Sequence, residues 1–130
     1  MKISIIIFVL ITSTFSSVAN EIDSNYLIGV WGNSEDGGKT IWGYDQYFSD
    51  GSFKSWGEIP QPPIKYELEG TYKVKHKFKS SSCLTISKTS DPEIMPIGEH
   101  WCDEIIELND KVFLFKSSDG EITTLYRQDL

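Results

Sequence analysis

The sequence predicts an all-β protein, an eight-stranded antiparallel up-and-down barrel with little helix, and three observations carry that prediction. Residues 64–74 alternate strictly: Ile64, Tyr66, Leu68, Tyr72 and Val74 share one parity, while Lys65, Glu67, Glu69, Thr71 and Lys73 share the other. This is the period-two signature of a strand with one dry and one wet face. Strand-like runs elsewhere are joined by compact turn-formers, of which Asp50-Gly51 between two aromatic runs is the strongest. No segment holds a helical period, and crossover connections for a parallel sheet are absent. A meander of eight such strands closes most naturally into a barrel, which removes its exposed edges.

Residues 1–20 are set apart as a signal peptide. Lys2 gives a positive start, Ile3 to Ile11 is apolar apart from Ser4, and Ser17-Val18-Ala19 resembles a cleavage site. The apolar run is too short to be a comfortable permanent span, and no cysteine follows it to take a lipid. The expectation is an exported protein, periplasmic or secreted, monomeric and without a stable membrane anchor. Residues 21–130 then form a single domain, since about 110 residues suffice for one core and are too few for two. Loss of Lys2 takes the formal charge from −7 to −8, which argues against nucleic acid or an anionic membrane as the main partner.

The elements follow in order. Residues 21–26 are a turn of helix or a loose lead, 27–33 the first strand and 34–39 a loop. Gly38-Lys39-Thr40 looks like the tail of a phosphate-binding loop, but Asn33 stands where that loop needs glycine and an aromatic strand follows instead of a helix. Residues 41–48 and 52–59 make a hairpin about Ser49-Asp50-Gly51. Pro60-Gln61-Pro62-Pro63 ends it and leads into the strand from Ile64. Lys73, Lys75, Lys77 and Lys79 continue that strand as a positive outer stripe, which is either a solvated face that blocks edge pairing or an anion contact. Ser80 to Ser82 is read as the next turn, 83–87 as the fifth strand, and 91–98, broken by Pro92 and Pro96, as a long loop at a rim. Strands over 101–108, 111–116 and 121–128 finish the chain, with turns at Asn109-Asp110 and Ser117 to Gly120.

Cys83 and Cys102 are the only cysteines, and an even count in an oxidising compartment favours a disulfide. Their parities conflict: Cys83 alternates with Ser81, Thr85 and Ser87, whereas Cys102 falls in line with Ile106 and Leu108. A bulge, or Cys102 lying outside its strand, reconciles them.

On the first and last strands, Gly29-Val30-Trp31 and Arg127 resemble the G-x-W and the closing arginine of the lipocalin-like (calycin) barrels. Asp50-Gly51-Ser52-Phe53, Glu69-Gly70-Thr71-Tyr72 and Leu125-Tyr126-Arg127 are similar to small bacterial lipocalin-like domains. The resemblance implies a structural barrel closure in which Gly29 and Trp31 meet Arg127, its guanidinium stacked on the indole. The Thr-Asp-Tyr turn of larger lipocalins is missing, and with it the expectation of a roomy cavity.

Candidate chemistry is sparse. There is no G-x-S-x-G, H-E-x-x-H or C-x-x-C, and His76 and His100 lie far apart. His100 with Glu99, Asp103 and Glu104 does not converge as a metal site on an alternating strand, so no catalytic residue, metal or cofactor is expected. Asp45 and Glu104 share parity with apolar neighbours and are candidates for inward carboxylates, which burial would keep protonated to higher pH. The aromatics Tyr66, Tyr72, Tyr44, Tyr47, Trp56, Phe53, Phe113 and Phe115 are read as facing the interior, where they either fill the barrel or wall a small apolar pocket. The expected function is binding of a small apolar or amphipathic molecule, with Tyr66, Tyr72, Trp56 and Phe113 as ligand contacts. The alternative is a protein-binding module, such as an inhibitor or immunity protein for a basic enzyme, using exposed Trp42 and Trp101.

Overall fold

A computed structural model describes residues 22–130, so the leader expected over 1–20 lies outside the described residues. A short 3₁₀ helix at Ser24–Leu27 is followed by eight strands: β1 Gly29–Asn33, β2 Gly43–Tyr47, β3 Ser52–Pro60, β4 Pro63–Lys77, β5 Lys79–Thr89, β6 His100–Leu108, β7 Val112–Lys116 and β8 Ile122–Gln128. Each pairs antiparallel with the next, and β8 pairs with β1, so the sheet is a closed up-and-down barrel. Among the described residues no helix is long and apolar enough to cross a membrane.

Strand direction sorts the connections into two ends. The 3₁₀ helix and the β2–β3, β4–β5 and β6–β7 turns lie at one end; the loops at 34–42, 61–62, 90–99 and 117–121 lie at the other. The first end is closed. Asp23 caps the 3₁₀ helix by accepting from the Asn25 N–H, and fully buried Leu27 plugs the barrel. The Trp31 indole N–H donates to the Leu27 carbonyl at 2.9 Å. Above this plug sit Tyr47, Phe53, Ile105, Leu108, Phe113 and Leu125, all buried.

Trp31 and Arg127 are directly paired across the β1–β8 seam. The guanidinium carbon lies 4.4 Å from the indole centroid, and its nitrogens donate to the carbonyls of Ile28 and Tyr26 at 2.7 and 2.6 Å. Gly29, at φ +133°, makes this possible, because a side chain there would collide with the guanidinium. Gly29, Trp31 and Arg127 thus adjoin one another at the β1–β8 seam.

Cys83 and Cys102 form a disulfide between directly paired residues of β5 and β6. The register of β6 against β7 slips between Ile105 and Glu107, so Ile106 is the extra residue of a bulge. Cys102, Glu104 and half-exposed Ile106 therefore face outward, while Leu108 regains the core. A second slip, between Glu69 and Gly70 of β4, leaves Ser87 as the extra residue of β5, so that Ile86 faces Gly70 and Thr89 faces Leu68.

Three local readings are corrected. The chain turns at Phe78, a non-glycine residue at φ +65° and 99% exposed, whereas Ser80 to Ser82 belong to β5. Pro60 and Pro63 are the last paired residues of a tight β3–β4 hairpin rather than the start of a longer connection, with a cis bond between Gln61 and Pro62. Residues 24–27 are 3₁₀ helix, so the first strand starts at Gly29.

Candidate functional site

The open half of the barrel is not filled. A cavity of about 320 Å³ reaches from an aromatic floor of Tyr47, Phe53 and Phe113 to a mouth between Met95 and the Ser117-Ser118 turn. The floor is rigid because its rings interlock: Phe113 stacks against Tyr47 at 6.3 Å and meets Trp31 edge-on at 5.7 Å. A narrower apolar pocket of about 150 Å³ adjoins it, bounded by Trp42, Ile59, Ile64, Tyr66 and Ile94. Leu68 and Met95 line both, so the Met95 side chain from the 90–99 loop stands on the partition between them.

Inward polar residues occur in two matched pairs. On β2 and β3, Asp45 lies directly opposite Ser55; on β5 and β6, Ser82 lies directly opposite Asp103. Three strand spacings separate the two pairs around an eight-strand ring, which puts them on nearly facing walls. Ser55 Oγ donates to Asp45 Oδ1 at 2.7 Å, and the Trp101 indole N–H donates to Asp103 Oδ2 at 3.2 Å. Burial raises both carboxyls: Asp45 to about 6, against the opposing effect of Ser55 and Asn33, and Asp103 upward with help from the Asp119 charge. Tyr47 stands between them and is itself pushed well up, first by burial and then by the charges of Asp45 and Asp103. The Tyr66 hydroxyl is raised by burial too, beside Ser55 and Asp45. It occupies the space that a side chain at Gly43 would take.

The residues expected at the site divide accordingly. Phe113 is on the cavity floor and Tyr66 bounds the second pocket. Tyr72 is turned to the closed half, its ring edge-on to Tyr47 at 5.0 Å and its hydroxyl donating to the Phe48 carbonyl at 2.6 Å. Trp56 is outside the barrel, because Phe53 and Ser55 hold the inner parity of β3; it stacks on outward Tyr44 at 5.5 Å. Trp42 and Trp101, expected to be exposed, are half-buried at the mouth, Trp42 edge-on to Tyr66 at 6.4 Å. Glu104 faces outward toward Lys79 at 3.6 Å. The inward acid of β6 is Asp103, which sequence reasoning used only as an imagined metal ligand. Its signal was present, since it alternates with Trp101 and Ile105.

Solved structures share the barrel fold. The chain is similar to a lipocalin-like protein from Bacteroides uniformis, with a TM-score of 0.57 and 15% identity over 79% of this chain and 99% of that one. The fold is lipocalin-like. An uncharacterized protein from Bacteroides eggerthii superposes with a TM-score of 0.53 and 16% identity, covering 78% of this chain and 99% of that one. No protein-family model and no curated protein sequence matches the chain. At these identities the likeness shows the fold alone, a lipocalin-like barrel.

Proposed function

We propose that the protein is an exported binding protein whose lipocalin-like barrel takes a small apolar or amphipathic molecule through its open end. The observation that carries this reading is the cavity of about 320 Å³ with an aromatic floor and a few convergent polar groups, the usual composition of a small-molecule site. It has room for about ten waters or a ligand of one or two rings. The disulfide is consistent with export into an oxidising compartment, with residues 1–20 as the leader.

Native mass spectrometry of protein purified gently from its exporting host, followed by organic extraction, tests the reading. A retained small molecule, lost in Leu68→Trp where the new ring blocks the lumen, is the expected result. A bare chain that also fails to bind any hydrophobic probe would sink it.

Protein binding is the second reading, and one observation favours it: the outward Tyr44–Trp56 stack on the barrel wall, with Glu58, Lys65 and Glu67 beside it. A salt-sensitive partner captured by the native protein and lost in Trp56→Ala would support it.

A further inference from the structure

The lumen combines two features that rarely coexist in a site for a neutral ligand. Its floor is aromatic, and its walls carry two carboxylates with no basic side chain among the residues lining it. Lys54, Lys79 and Arg127 are engaged elsewhere, with Glu69, Glu104 and Trp31 respectively. Asp45 is held by Ser55 and Asn33, and Asp103 by the Trp101 indole. Asp103 is only 8% exposed and lines the lumen.

Two like charges on facing walls of a cavity repel each other and lose hydration, an arrangement that a bound cation relieves. The π faces of Tyr47, Phe53 and Phe113 beneath them attract the same kind of group and suit an apolar body. We infer that the ligand is a small apolar amine, its ammonium held between Asp45 and Asp103 and its hydrocarbon or aromatic body resting on Tyr47, Phe53 and Phe113. This rests on the lumen being the binding site and adds the charge of what enters it. An ammonium presents three donors and no acceptor, which suits a lumen walled by two carboxylates. A carboxylate ligand of the same shape would meet two negative walls and be rejected.

The test uses three ligands of one shape and different charge: tryptamine, neutral 3-ethylindole and anionic indole-3-propionate, titrated calorimetrically into the purified protein at neutral pH and low salt. Tryptamine is expected to bind at least tenfold more tightly than 3-ethylindole, with no detectable binding of indole-3-propionate. In Asp45→Asn combined with Asp103→Asn, the preference for tryptamine should vanish while 3-ethylindole still binds, which also shows that the variant is folded. Equal affinity for tryptamine and 3-ethylindole in the parent protein would overturn the amine assignment and leave the lumen as a neutral apolar site. Binding of none of the three would overturn both the assignment and the binding function it rests on.

Discussion

Arg127 is paired with Trp31 across the seam of the barrel and lies 4.4 Å above its indole ring, while reaching back to two carbonyls of the segment that plugs the closed end. One side chain thus joins three pieces: β8, β1 and the 3₁₀ helix. Arg127→Ala removes the stacking and leaves those carbonyls without their donors, and should cost about 2–4 kcal/mol in urea unfolding. Arg127→Lys keeps the charge but not the planar fork, and should recover less than half of that loss. Parental stability in the lysine variant would show that charge alone closes the seam.

Gly43 and Tyr66 share one volume. A methyl group at Gly43 would overlap the Tyr66 hydroxyl, so Gly43→Ala should destabilise by about 1–3 kcal/mol. Tyr66→Phe vacates that space, and the double variant should be more stable than Gly43→Ala alone. A thermodynamic cycle measures the coupling; strict additivity would mean that the backbone, not the hydroxyl, is what the methyl strikes.

Asp45 sets a pH dependence whose sign can be worked out. Its pKa in the folded protein is raised to about 6 from an ordinary value of 3.8, so between these values the native state holds more protons than the unfolded state. Stability therefore falls as pH rises from about 4 to about 6, and the loss is complete above that. Asp103 acts in the same direction. Ser55, Asn33, Tyr47 and Tyr66 face Asp45, and none of them changes charge in that range. Asp45→Asn should match the parent near pH 4 and exceed it at pH 7 by on the order of 1–3 kcal/mol. A constant difference between the two proteins across that range would refute a raised Asp45.

The bulge at Ile106 decides which way the end of β6 faces. Deleting Ile106 would place Cys102 and Leu108 five residues apart, on opposite faces of a regular strand, so that the disulfide and the core contact of Leu108 can both form without the bulge. The deletion should therefore keep the disulfide and a native core, as seen by thiol labelling and near-ultraviolet dichroism. Ile106→Thr, at a half-exposed position, should be tolerated within about 0.5 kcal/mol. Free thiols or a molten core in the deletion would mean that the extra residue itself is needed to bend β6.

Much of this fold was legible because the signals are local. Alternation along β4, Asp50-Gly51 between aromatic runs, and the parity conflict of Cys83 and Cys102 each report on a few consecutive residues, and the barrel follows from counting them. The turn at Phe78 was not legible, since a left-handed aromatic at a hairpin tip contradicts local preference while three consecutive serines imitate a turn. Trp56 was misplaced for a different reason: aromatic content drew it inward although it has the opposite parity to Phe53. Trp42 and Trp101 sit where strands meet loops, and there the period no longer says which way a ring folds. The lumen was only half legible. Asp45 was identified from its parity, but its relation to Asp103 depends on two strand pairs meeting across a closed ring, a contact that no single stretch of sequence encodes.

Closure by β1 and β8 also fixes an order of events. The Ile28 carbonyl and the Arg127 donor are 99 residues apart, so the last hydrogen bonds of the ring join the earliest strand to the latest. A chain still being synthesised can form hairpins, but it cannot form the ring, and its two edge strands stay unpaired until residue 128 is available. Completion of the ring thus waits for β8, however many of the hairpins before it have already formed.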